Sequence, residues 1–146
     1  DFPTLLDHPP ARILAYPREI VVAEKLEAIL TLGITNGRMK DFHDVHVLAS
    51  RFPFEGTRLT AAVRATLKRR GTTIPETMPF VLSQEFLSAQ DRQVQWRAFL
   101  RRGRREASPD SAVLAERQQT FLGPVLDALS KGEGFDRSWQ AEGPWK

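Results

Sequence analysis

From Tyr16 to Phe52 the chain reads YPREIVVAEKLEAILTLGITNGRMKDFHDVHVLASRF, two helical patterns joined by a short turn. At about 100° per residue, Val22, Leu26, Ile29 and Leu30 form the apolar arc of the first pattern, with Glu24, Glu27 and Thr31 on its polar side. Phe42, Val45, Leu48, Ala49 and Phe52 form the arc of the second. Each pattern carries one charge out of place. Lys25 falls on the broader apolar side, between Leu32 and Ile29, and Asp41 projects into the middle of its arc. A buried charge is costly unless it is paired or used, so a fold built on these helices must bring the two together or let each escape. Lys25 can escape by extending its ammonium to water. Asp41, with Asp44 three residues on, can cap a helix start. Together, and flanked by Arg38 and Lys40, they read as a functional site.

The 146 residues suffice for one domain with a real core, and we take 1–146 as that unit. The chain has no cysteine, which excludes disulfides and thiolate metal sites and fits a reducing cytoplasm. No apolar run reaches the length of a membrane span and no signal peptide is visible, so a cytoplasmic protein without a membrane partner is expected. The chain starts at Asp1, and DFPTLLDHPPARI reads like mid-chain text, so a fragment of a longer protein is expected. Net charge is only +3, yet the isoelectric point is about 9.7. Clustered arginine and lysine of this kind point to an anionic partner, nucleic acid or nucleotide.

The spacing predicts a mainly α protein, or α+β if an N-terminal strand pairs. Residues 1–16 are an extended lead-in containing the strand segment Arg12–Tyr16. Residues 17–53 are the helix pair: Pro17 opens the first helix, Gly33 ends it, Asn36-Gly37 turns, and the second runs from near Arg38 or Lys40 to before Pro53. Residues 57–130 are expected to form a helical bundle. In it Thr57–Arg70 turns Leu59, Ala62, Val63, Thr66 and Leu67 inward and ends in Lys68-Arg69-Arg70-Gly71, as ordinary capping or as a basic surface. Thr72–Pro79 is a loop. Ser83 caps one helix from Gln84 to about Arg102, with Trp96, Phe99 and Leu100 on its apolar side. Arg97, Arg101, Arg104 and Arg105 stack on another side, a stripe that is either solvated or meets phosphates. Glu106–Asp110 is a hinge, and a last helix starts at Ser111 and is interrupted at Gly123-Pro124. Residues 131–146 form an aromatic tail expected to pack back on the body.

Several familiar chemistries are missing. His43 and His46 sit on the polar arc of their helix without a third ligand, so no zinc site is expected. There is no P-loop, GxGxxG, GxSxG or HExxH pattern, and no Asp-x-Asp.

YPREIVVAEKLEAILTLG followed by NGRMKDFHDV resembles the C-terminal half of the AbiEii/AbiGii toxin family of nucleotidyltransferases, from type IV toxin–antitoxin and abortive-infection systems. The lysine-bearing helix is matched at Ala23-Glu24-Lys25, and the Arg-x-Lys-Asp-x-x-Asp motif at Arg38, Lys40, Asp41 and Asp44. LKRRGTTIP, the QW…FL pattern at Gln95–Leu100 and the closing Gly143–Trp145 extend the likeness over nearly the whole chain. The resemblance implies a polymerase-β-like fold that moves a nucleotide from an NTP to an acceptor with Mg²⁺, in some relatives to the 3′ end of tRNA. It implies a cognate antitoxin, acting directly or only at transcription. Lys25 and Asp41 become catalytic, Arg38, Lys40 and Asp44 nucleotide-binding, and the arginine stripe nucleic-acid-binding. The family's metal-binding Gly-Ser and Asp-x-Asp motifs lie upstream of this region, so no metal ligand is expected here. The isolated chain is expected to transfer no nucleotide, because two-metal chemistry needs those carboxylates. The other reading is a non-catalytic helical module that binds RNA or a partner protein. In a third, the lysine and aspartate are a structural ion pair.

Overall fold

The computed structural model describes residues 17–32, 39–103 and 110–146. Helices dominate, as the periodicity predicts. In α1 (Arg18–Leu32) Val22, Ala23, Leu26 and Ile29 are buried, and the Pro17 carbonyl accepts the first helical hydrogen bonds, from the amides of Ile20 and Val21. In α2 (Met39–Arg51) Phe42, Val45 and Ala49 are buried with Met39, and Leu48 and Phe52 pack at the edge of the same core. A two-residue strand, β1 (Phe54–Glu55), leads into α3 (Gly56–Arg70), whose inner face is Leu59, Val63, Thr66 and Leu67 with Ala62 beside them. Gly71 ends α3 in the left-handed conformation, φ 69°, which a residue with a Cβ adopts at a cost. Of the packed pairs, α1 and α3 share the broadest contact, and α1 and α2 the next.

In secondary structure the chain departs from the sequence reading at three places. The helix expected from Gln84 to Arg102 is two helices, α4 (Gln84–Leu87) and α5 (Gln90–Gly103). Ser83 does cap the first, accepting the Phe86 amide at 3.0 Å, but the chain bends at Ser88. In one straight helix Phe86 and Phe99 would point about 140° apart; the bend lets both enter the core, with Leu87 and Trp96. The second departure is α6 (Ser111–Lys131), which runs unbroken through Gly123-Pro124. A proline inside a helix costs about 3 kcal/mol, and here Phe121, Leu122, Val125 and Leu126, all buried, hold the helix on both sides of it. Pro124 and Thr120, whose carbonyl loses its helical donor, are both exposed to water.

The third departure is where strands form. β1 pairs antiparallel with β2 (Ser138–Trp139), in the register Phe54 to Trp139 and Glu55 to Ser138. The aromatic tail packs back on the body as expected: Phe135, Trp139 and Trp145 are buried around Phe121. Trp139 Nε1 donates to the Ala49 carbonyl at 2.8 Å, and Trp145 Nε1 to that of Phe121 at 2.9 Å. Gly143 lies against the Trp139 ring, where a Cβ would collide. The tail thereby fastens the C-terminal end of α2. The strand segment Arg12–Tyr16, the Asn36-Gly37 turn and most of the Glu106–Asp110 hinge lie outside the described residues.

Candidate functional site

The two misplaced charges meet where α1 packs on α2. Lys25 Nζ lies 3.5 Å from Asp41 Oδ1 and 3.0 Å from Asp44 Oδ2. Asp41 has only 2% of its side chain exposed, because it lies on the arc that α2 turns inward, while Lys25 keeps 25% exposed. The lysine therefore pairs and reaches water at once. Asp44, one turn from Asp41 and half-buried, also accepts from Lys40 Nζ at 2.8 Å, and its Oδ1 lies 3.5 Å from His43 Nδ1. Burial alone would raise the Asp44 carboxyl; hydrogen bonds with His43 and Lys40 and the charge of Lys25 outweigh it and hold the group well below the carboxylate range. Asp44 is thus a permanent anion between two lysines. Asp41 and Asp44 together balance Lys25 and Lys40, and the charge most open to solvent is that of Lys40.

The histidines are not on an open polar arc. His43 is half-buried, its ring 5.4 Å from Phe99 and 6.0 Å from Trp96, which ties the Asp44 end of the cluster to α5. His46 faces α6, where burial first, then Arg117, then His43 push its pKa down to about 4. The polar side expected for α1 is covered in part: Thr31 stays exposed and Glu24 half-buried. Glu27 is buried and accepts from Thr31 Oγ1 and, at 2.8 Å, from Thr72 Oγ1 beyond the end of α3. Glu24 bridges Arg69 and Arg70. Nothing in the local pattern marks Glu27, since its second partner lies 45 residues away.

Lys25, Lys40, Asp41 and Asp44 are brought together. Arg97 and Arg101 are exposed on α5, and among the described residues no hydrogen bond or ion pair joins them to the cluster. Arg38, Arg104 and Arg105 lie outside the described residues. The donor set does not suit a divalent cation: a lysine ammonium stands against both carboxylates, and among the described residues no group of three or more His, Asp or Glu could hold a metal ion. The arrangement suits instead a presented ammonium, charged and aimed, that can exchange a carboxylate partner for a phosphate.

Among the described residues no helix is long and apolar enough to cross a membrane. No curated protein and no solved structure matches the chain significantly. The family model described as "Nucleotidyl transferase AbiEii toxin, Type IV TA system" matches residues 1–128, which include the whole cluster and α5. The chain belongs to the nucleotidyl transferase AbiEii toxin family, a family of type IV toxin–antitoxin systems, and so to a system with an antitoxin partner.

Proposed function

We propose that this chain is the helical, C-terminal portion of a nucleotidyltransferase toxin that moves a nucleotide from an NTP to an acceptor, the 3′ end of a tRNA being the leading case. In this reading it works in the cytoplasm in abortive infection. The observation that carries the reading is Lys25, held by two carboxylates of α2 with part of its side chain open to solvent. In such a transfer an acceptor hydroxyl attacks the α-phosphorus and loses its proton to solvent, the bond to pyrophosphate breaks, and negative charge grows on the leaving group. A pre-aimed ammonium stabilises that charge without reorganising. Lys25 makes this contact, and Lys40, more exposed, binds the outer phosphates. When Lys25 turns to phosphate, His43 Nδ1 remains beside Asp44. Asp41 is buried too deeply to take a proton from an acceptor, so its role is to orient Lys25. Arg38 adds a nucleotide contact on the strength of the family motif. Magnesium belongs to carboxylates other than these, and no step here runs through it.

The test is transfer of label from radiolabelled NTPs to total tRNA by the whole toxin. Lys25→Gln leaves a donor beside the two carboxylates while removing the charge. It should cost about 10²-fold or more in transfer, with far-UV circular dichroism unchanged. Labelling at the wild-type rate by a folded Lys25→Gln toxin overturns the reading and leaves a structural ion pair or a binding module.

A further inference from the structure

Lys25 can serve phosphate only if α1 presents it toward α2, and apolar packing, being non-directional, fixes the roll of a helix less sharply than a hydrogen bond does. A roll of about 20° sweeps a side-chain tip at the ~6 Å outer radius of a helix through about 2 Å. That is enough to undo contacts of 3.0 and 3.5 Å to Asp44 and Asp41. Around α1, Glu27 lies about 200° from Lys25, on the side that faces α3. Its carboxylate is buried, yet it is held by two hydroxyls, Thr31 one turn along α1 and Thr72 from the segment after α3. Thr72 is placed there by the end of α3. With Gly71 in the left-handed conformation, the Thr72 amide bonds the Leu67 carbonyl at 2.9 Å, and its hydroxyl meets α1. An apolar residue at 27 would pack at lower desolvation cost; Thr31 turns with α1, so it is the Thr72 hydroxyl, from outside the helix, that ties the buried carboxylate to one roll angle. The Arg69–Glu24–Arg70 bridge grips α1 from the same helix end. It is more exposed, so it contributes less.

We infer that Glu27, with Thr72, is a positioning residue for Lys25: it sets the rotation of α1 and so aims the ammonium at the α2 carboxylates and the phosphate that replaces them. The inference rests on the reading of Lys25 given above. Misplacing a catalytic group by about 1 Å can cost about 10²-fold. Glu27→Ala in the whole toxin should therefore lower kcat by about 10- to 100-fold, with the KM for NTP changed much less.

A double-mutant cycle with Lys25→Gln, measured as label transfer to tRNA, separates aim from general damage. If Glu27 acts through Lys25, Glu27→Ala removes nothing further from the activity that Lys25→Gln retains. Equal fold losses in both backgrounds overturn the positioning role and leave the reading of Lys25 standing. Undiminished transfer by Lys25→Gln sinks that reading itself, and this inference with it. Should Glu27→Ala fail to fold, Thr72→Val removes only one hydroxyl and enters the same cycle. It should cost about 3- to 10-fold in the wild-type background, within the loss expected for one misaligned contact, and nothing beside Lys25→Gln. No loss in the wild-type background overturns the inference.

Discussion

His46 should make this protein lose stability in mild acid, well before its carboxylates titrate. The ring lies half-buried between α2 and α6, and among the described residues its Nδ1 has no hydrogen-bond partner. Burial, then the Arg117 guanidinium from α6, then His43 on its own helix lower the pKa from 6.5 to about 4. The folded state therefore refuses a proton that the unfolded chain accepts. Stability from the neutral ring is complete above about pH 6.5 and is lost as pH falls toward about 4. At about 1.4 kcal/mol per pKa unit the shift sets an upper bound of about 3 kcal/mol. Solvent at a half-buried ring reduces that to about 1–2 kcal/mol. Between pH 7 and pH 5, where carboxylates stay ionised, about 1 kcal/mol of it should be seen, or about 2–4 °C in Tm for a chain of this size. His46→Gln removes the titrating group. Thermal melts of both proteins at pH 7, 6 and 5 should show wild type losing those degrees and the variant losing correspondingly fewer. Parallel curves would refute the burial argument, and a steeper curve for the variant would reverse its sign.

Trp139→Ala removes a fully buried ring and the donor to the Ala49 carbonyl; it should cost about 3–5 kcal/mol, read as a drop in urea midpoint. Converting Arg97 and Arg101 to glutamine should weaken tRNA binding and flatten its salt slope by up to about two units. Tm should hold, since both are exposed. Unchanged affinity would make the stripe plain solvated surface. Pro124→Ala returns a backbone donor to α6 at an exposed position, and should raise stability by about 1–3 kcal/mol. A fall would show that the helix is shaped around the proline.

What the sequence by itself determined is whatever depends on neighbours within about one or two helical turns. The inner faces of α1, α2 and α3, the stop at Gly71 and the cap at Ser83 were all legible. Two charges on apolar faces also named each other as partners, because a buried charge has few other ways out. The same local rules misplaced the single helix from Gln84 and the break at Pro124. In both places distant core contacts outweigh the backbone's own preference: Phe86 and Phe99 demand a bend, and the residues around Pro124 are buried deeply enough to forbid one. The strand pair lies beyond any local signal, since Phe54 and Trp139 are joined only after the tail returns across α2. Tertiary structure alone decided that Glu27 is buried and His43 half-buried. A helix has no outer side until its neighbours are placed, and here the end of α3 covers Glu27 on the face of α1 that its composition marks as polar, while Thr31 on that face stays exposed, and Thr72 satisfies the buried carboxylate.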